Sequence, residues 1–563
     1  MIPKTFYLLA LSFLLTPQFP AHAETRLRNS SEIVFQAMQD EMARALRDLK
    51  IDVFNPPYFI NYQIRNQDYL EVVASFGSIL NSKSDSRRVL YVDVKIGDPQ
   101  FDSSTPDSHQ YSVEQFVPLE DDLDALKRAI WYETDLRYKQ AIMNYLKKKG
   151  RFVSGVEKHE LPDFSKGQAE PATRIDAVPE LDADTAQWED LARRVSAEFK
   201  NASDIEKSSV KIFGRRLARH YLDSDGNKIR DASLQFGVIL EAWSKTASGS
   251  PIHDQETVYF SRPEHFPAER DLVRRAKQLI AGVQSLKKAP EAQPYVGPAL
   301  FSPDATAVLF HEAIGHRLEA DRLRNASDGK TFMEKIGEPI LPPFITVVDN
   351  PAMDRYDGAD LLGHYQFDDE GQPSQEVVLI DRGMLRSFLL SRAPVLGFSR
   401  TNGHARGDGM KSPMSRMSNF VVRSDNRISA ELLKQRLIEE IKRQNKPYGL
   451  LIRKISGGET HTESADYQVF KGKPLYMYKV YPEDGREELV RGVEFVGTPL
   501  SMIGKIMATG DDYTVINGFC GAESGVLPVT SIAPTALLRE VELQVSREQS
   551  LRKPILAPPA ITE

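Results

Sequence analysis

The chain has a single cysteine, Cys520, in 563 residues. One thiol cannot form an intrachain disulfide, so no disulfide framework holds this fold. A basic surplus is also missing. With 72 Lys and Arg against 79 Asp and Glu, the net charge is −7, which argues against a nucleic-acid backbone as the main partner. Beyond the N-terminus no stretch of about 18 apolar residues occurs, so no transmembrane helix is expected. Internal repeats and low-complexity tracts are absent too. What is present is 41% hydrophobic and 27% charged residues, the composition of a globular protein. At roughly 100–200 residues per domain, the length suggests two to four domains.

The N-terminus reads MIPKTFYLLALSFLLTPQFPAHAETRL. Lys4 gives a positive start, Phe6 to Leu15 an apolar run, and Ala21-His22-Ala23 small residues where a signal peptidase reads them. This is the layout of a secretory signal cut before Glu24, and it predicts a periplasmic or secreted protein. In an oxidising compartment a lone thiol is expected to be buried or occupied by a ligand.

Periodicity divides the rest. Helical spacing predicts helices over 31–50, 119–149, 186–201, 268–288, 303–324 and 429–443. β-branched and aromatic alternation predicts strands over 56–98, and over 208–245 around the turn Asp223-Ser224-Asp225-Gly226. Residues 160–185, with several prolines and little periodicity, read as a connector, and 289–300 (APEAQPYVGPAL) as the main domain boundary. The resulting domain reading is a signal at 1–23, an α/β region at 24–160, a linker at 161–185, a second α/β region at 186–290 and a C-terminal domain at 291–563.

The strongest chemical signal is His311-Glu312-Ala313-Ile314-Gly315-His316, an HExxxH pattern one residue longer than the common zinc-peptidase motif. Residues five apart lie about 140° apart around an ideal α-helix, so both imidazoles reach one ion only if the turn is widened. A π-type distortion at 311–316 is therefore predicted, with Gly315 permitting it. A catalytic zinc site needs a third protein ligand. Glu319 and Asp321 are local candidates; His364, His404, His461 and Cys520 are distant ones. Cys520 lies in the glycine-rich Asn517-Gly518-Phe519-Cys520-Gly521-Ala522-Glu523-Ser524-Gly525.

HEAIGHRLEAD resembles the metal motif of TldD/PmbA-type peptidases, the so-called modulators of DNA gyrase, and is most similar to the TldD branch. The likeness continues through His364-Tyr365-Gln366-Phe367-Asp368-Asp369-Glu370-Gly371, Asn402-Gly403-His404-Ala405-Arg406-Gly407 and Ser415-Arg416-Met417-Ser418-Asn419, then RGVEFVGTPLSMIGKIMATGDD and GFCGAESGVLPVTSIAPTALLREVEL. It spans about 297 to 545. The resemblance implies an α+β protein: a mixed α/β N-terminal region, then a β-rich C-terminal domain carrying the metal-site helix. It implies one zinc ion (Zn2+) held by His311, His316 and Cys520, and a homodimer or heterodimer with a related chain that acts on peptides or unfolded segments. Two departures stand out. Familiar members lack an export signal, and the loop after Cys520 reads Gly-Ala-Glu-Ser-Gly where the family often has a basic residue and a glutamine.

The expected activity is that of a zinc metallopeptidase, with Glu312 taking a proton from zinc-activated water. The rival readings are a metal amidase acting on cell-wall peptides and a non-catalytic subunit that captures peptides. Glu319 is a candidate for orienting a ligand imidazole. Arg416 reads as an intradomain salt bridge, Asp368-Asp369-Glu370-Gly371 as a solvated turn, His461 as a polar loop residue, and Tyr476 and Tyr478 as strand residues.

Overall fold

The computed structural model describes residues 21–51, 53–105, 115–155, 161–167, 170–325, 331–460, 470–496 and 499–546, without the side chains of 21–30, 457–460, 470–471 and 499. Residues 1–20 of the expected export segment and His461 lie outside the described residues. Helix α1 (Ala21–Asp48) contains the expected cleavage position in its first turn.

The N-terminal half is built on one long, mostly antiparallel sheet. Strands β1 (Phe59–Ser75) and β2 (Ser78–Lys95) form a hairpin. After helix α2 (Leu123–Val153), the short strand β3 (Thr173–Ile175) and helix α3 (Thr185–Ala197) come β4 (Lys207–Asp223), β5 (Lys228–Lys245) and β6 (Pro251–Phe260). The sheet runs β2-β1-β4-β5, with β3 and β6 both pairing β5. The two N-terminal regions that the sequence separates at 161–185 thus share one sheet: β1 pairs β4 from Asn61–Asp223 to Ala74–Val210. The connector itself supplies β3, parallel to β5. Pairing between strands more than a hundred residues apart leaves no trace in local periodicity.

Alternation along β1 gives the sheet two different faces. Ile60, Tyr62, Ile64, Val72 and Ala74 are buried under helices. At one end α1 and α2 cover Ile60, Ile64, Leu90 and Val92. At the other, α3 and α4 (Glu269–Lys288) cover Val72, Ile212 and Leu240. Helix α2 starts at Asp122, whose carboxylate accepts from the Ala125 N–H, an N-cap that satisfies an otherwise orphaned donor. The opposite residues, Asn61, Gln63, Arg65, Gln67 and Glu71, are polar and also buried. This second face meets the C-terminal domain.

That domain is β-rich, as expected. Its large sheet runs Met384–Leu385, Val377–Asp381, β8 (Ile345–Asp349), Asn419–Ser424, Gly525–Val545, β7 (Tyr295–Phe301), Gly449–Thr460, Phe470–Val480 and Glu487–Val490. β7 occupies much of the boundary segment 289–300 and pairs with Gly525–Val545. Tyr476 and Tyr478 lie in the strand Phe470–Val480. The strand Ile506–Ala522 forms a hairpin with Gly525–Val545. Helix α5 (Pro303–Phe310), capped by the Ser302 hydroxyl, packs on this sheet through Ala305, Ala307, Leu309 and Phe310. Helix α6 (Ala430–Arg443) buries Leu433, Leu437 and Ile441 beside it. Among the described residues no helix is long and apolar enough to cross a membrane.

The candidate metal centre

The single helix expected over 303–324 is broken into four segments. α5 ends at Phe310, a π-helical turn runs from His311 to Gly315, and 3₁₀ turns follow at His316–Leu318 and Ala320–Arg324. The predicted distortion at 311–316 is present. The wider π-turn rotates His316 back toward His311, so the ring centroids lie 4.9 Å apart and the planes cross at 89°. Gly315 has an ordinary helical φ of −52°. Its role is steric rather than conformational, because a Cβ there would collide with the Met417 side chain.

The hairpin strand Ile506–Ala522 delivers the third group. Cys520 Sγ lies 3.4 Å from His311 Nε2 and 3.4 Å from His316 Nε2. The three ligand-type atoms fall within 4.8 Å of one another, and among the described residues this is the one such grouping of His, Cys, Asp or Glu. Zinc–sulfur and zinc–nitrogen bonds of about 2.3 and 2.0–2.1 Å at a tetrahedral angle require S···N separations of about 3.6 Å. The two S···N separations are close to that value, and the donor set of one thiolate and two imidazoles suits zinc.

The surroundings fix these groups. Glu319, fully buried, sits 3.1 Å from His316 Nδ1 and accepts from Arg322 Nε at 3.0 Å. Arg416 Nε lies 3.3 Å from the other Glu319 oxygen. Arg416 also donates to the Cys520 carbonyl at 2.9 Å and to Ser524 Oγ at 3.1 Å. It therefore ties the histidine turn to the cysteine hairpin. Arg322 reaches across to Glu523 at 2.6 and 2.9 Å, and Ser531 Oγ stands 3.4 Å from His311 Nδ1. Burial works against charge on Cys520, but the His316 imidazolium and hydrogen bonds from His311 and His316 bring its thiol down to about 5. Burial also opposes charge on His316, yet Glu319 and then the Cys520 thiolate raise it to about 10. Burial opposes charge on Glu319 as well, but His316 and Arg322 hold it well below the usual carboxylate range.

Glu312 is buried in the π-turn, and its backbone carbonyl accepts from Arg317 Nη1 at 2.8 Å. The other candidates serve elsewhere. Asp321 accepts from Ser391 Oγ at 2.9 Å and from the Ser415 N–H at 2.6 Å. His364 Nδ1 lies 2.9 Å from the Pro351 carbonyl. His404 is fully buried, 3.2 Å from Asp349. The Asp368–Glu370 segment is not the solvated turn expected from its sequence. Asp369 pairs with Arg65 and Arg219 at 2.6 and 2.5 Å, and Asp368 accepts from backbone N–H groups of Glu370, Gln372 and Ala405. Hydrophilic composition marked it as exposed, but it meets the equally polar face of the N-terminal sheet. Sequence reasoning missed Arg322, Glu523 and Ser531 as supports of the site, and nothing in their local sequence signals it.

Comparison with known proteins agrees with this architecture. Residues 294–545 match the family described as the PmbA/TldA metallopeptidase C-terminal domain. A metalloprotease of Methanothermobacter thermautotrophicus is 28% identical over 62% of this chain and 72% of its own length. One from Methanocaldococcus jannaschii is 25% identical over 59% of this chain and 69% of its own length. In structure, TldE from Thermococcus kodakarensis superposes with a TM-score of 0.58 at 15% identity, covering 93% of this chain and all (100%) of that one. A putative modulator of DNA gyrase from Bacteroides thetaiotaomicron gives 0.61 at 12% identity, covering 91% and 98%. The chain therefore has the TldD/PmbA-family metallopeptidase fold, with the family's C-terminal domain at residues 294–545 and a His/His/Cys cluster able to hold a metal.

Proposed function

We propose that this chain captures an extended peptide beside one zinc ion held by His311, His316 and Cys520, and that it hydrolyses a peptide bond there. The observation that carries the reading is the convergence of those three side chains, with the thiol sulfur 3.4 Å from an imidazole nitrogen of each histidine. Zinc in such a site supplies a Lewis acid and an acidified water. Glu312, next to a ligand in the chain, then takes a proton from the attacking water and returns it to the leaving amine. Glu319 holds the His316 ring through Nδ1, leaving Nε2 for the ion.

Peptide capture has its own support. From Tyr513 to Ala522 the strand carrying Cys520 pairs with Gly525–Val545 on one side. Among the described strands none pairs its other edge beyond Gly510. Tyr259 of β6 and Asp360 pack against Asn517 and Phe519 there, but an edge without ladder pairing accepts an added strand through main-chain hydrogen bonds, with little demand on sequence.

A second reading is a metal-bearing subunit that captures peptides without cutting them. It is favoured by the setting of Glu312, which is buried in the π-turn beside the Arg317 guanidinium on which its charge acts. The two readings separate in one experiment. Zinc content and cleavage of an unfolded polypeptide are measured for wild type, Glu312→Gln and Cys520→Ala. Hydrolysis predicts about one zinc in wild type and Glu312→Gln, cleavage reduced by about 10²-fold or more in Glu312→Gln, and little metal in Cys520→Ala. Capture alone predicts binding with no cleavage by wild type. A panel of cell-wall fragments beside linear peptides separates the amidase reading. The family resemblance of the sequence supports assembly as a dimer, with itself or with a related chain. The signal-like N-terminus supports action in the periplasm or outside the cell; N-terminal sequencing of the purified protein would find Glu24 first.

A further inference from the structure

The polar face of the N-terminal sheet does not close tightly on the C-terminal domain. A cavity of about 360 Å³ remains between them, lined by Arg65, Arg215, Arg219, Gln235 and Arg406 among others. One wall is Leu527 and Pro528, which pair with Cys520 and Phe519 across the hairpin. The cavity therefore adjoins the hairpin partner of the strand that carries the thiol.

Most of its cations already have partners. Arg65 and Arg219 share Asp369, and Arg219 also pairs with Asp231. Arg262 pairs with Asp354 and Asp360. Arg406 donates to the carbonyls of Met417 and Pro528. Arg215 differs. Among the described residues its guanidinium makes no hydrogen bond or ion pair, and besides burial it feels the like charges of Arg65 and Arg87. The carboxylate acting on it, Asp408, already accepts the N–H groups of Met410 and Lys411.

Two further groups in the cavity lack partners. Arg65 Nε, a donor, and Gln235 Oε1, an acceptor, are buried with no hydrogen-bond partner among the described residues. Sheet register sets Arg215 directly opposite Gln235 on β5, while Arg65 lies on the same lined face four residues along β1 from Tyr69, the residue opposite Arg215. Buried polar groups in native proteins find partners, and unpaired guanidiniums are carboxylate receptors.

We propose that this cavity binds the free C-terminus of a peptide, its α-carboxylate received by Arg215 and Arg65 Nε and the N–H of its last residue donated to Gln235 Oε1. This rests on the peptide-binding reading above and narrows its substrates to chains with a free C-terminus. A terminal carboxylate with an adjacent N–H supplies both missing halves, two acceptor oxygens for the arginines and one donor for the glutamine. An acidic side chain supplies the first half only.

The test is fluorescence anisotropy of an N-terminally labelled, alanine-rich hexapeptide on the full-length, zinc-loaded Glu312→Gln chain. Three ends are compared: a free acid, a C-terminal amide, and an amide whose last residue is glutamate. The free acid should bind at least ten-fold more tightly than either amide. Arg215→Gln should remove that advantage, and Arg215→Lys should restore part of it. Equal binding of acid and amide overturns the proposal. So does a glutamate amide that binds as tightly as the acid, because the carboxylate then need not be terminal. Discrimination without any cleavage by wild type would sink hydrolysis alone; cleavage without discrimination would sink this inference alone.

Discussion

Glu319 stands where the two halves of the metal centre meet. One oxygen faces His316 Nδ1 and Arg322 Nε, and the other faces Arg416. Glu319→Gln removes the negative charge that orients the imidazole. Metal affinity should fall about 10–100-fold, read by competition with a chromophoric chelator. The change also strips a buried carboxylate from two arginines, so stability should drop by about 3–5 kcal/mol, read by denaturant unfolding of the apo form. A variant that keeps wild-type affinity would show that Glu319 serves the arginines alone. The main chemical residues were legible in the sequence because each was locally odd: a stretched HExxxH, and one thiol in a chain with an export-like N-terminus. The family likeness joined them. Arg322, Glu523 and Ser531 were not legible, since their role is to touch residues far away along the chain.

The π-turn His311–Gly315 is the element that makes the centre possible. Its backbone geometry was implied by the five-residue spacing of the histidines, since an unbroken α-helix would point them apart. What spacing could not show is that α5 stops at Phe310 and gives way to 3₁₀ turns, because that ending depends on contacts from other strands. Nor could it show that the Gly315 position is enforced by the buried Met417. Gly315→Ala should cost about 1–3 kcal/mol through overpacking, and the shifted turn should weaken metal binding. Pairing it with Met417→Ala should restore part of the affinity while lowering stability further. Thermal unfolding with and without added zinc checks both. If Gly315→Ala alone melted and bound metal as wild type does, the close approach would be unimportant.

Across the whole molecule, two buried groups set opposite pH slopes. Burial, then Arg230 and Arg88, push His220 from 6.5 down to about 3. The unfolded chain therefore binds the extra proton between these values, and stability falls as pH drops from 6.5 toward 3. Burial and then Asp368 push Glu370 from 4.5 up to about 8. Here the folded chain holds the extra proton, so the stabilisation is full below 4.5 and is lost as pH rises through 8. Urea midpoints should flatten between about pH 4 and 6 in His220→Gln, and between about pH 6.5 and 8 in Glu370→Gln. Slopes unchanged from wild type would refute the assignments. This scale was the least legible. The run Gln63, Arg65, Gln67, Tyr69, Glu71 has the alternation of a solvent-facing sheet surface, yet Gln63 and Arg65 are covered by a second domain whose contacting segment is just as polar. Composition distinguishes polar from apolar faces, but not wet from dry ones.

The thiol and the histidine it meets lie 204 residues apart in the chain. The hairpin must already have zipped onto the central sheet before the three donors exist as a set. A cation bound there would be a guest admitted to a finished house rather than the seed around which folding starts.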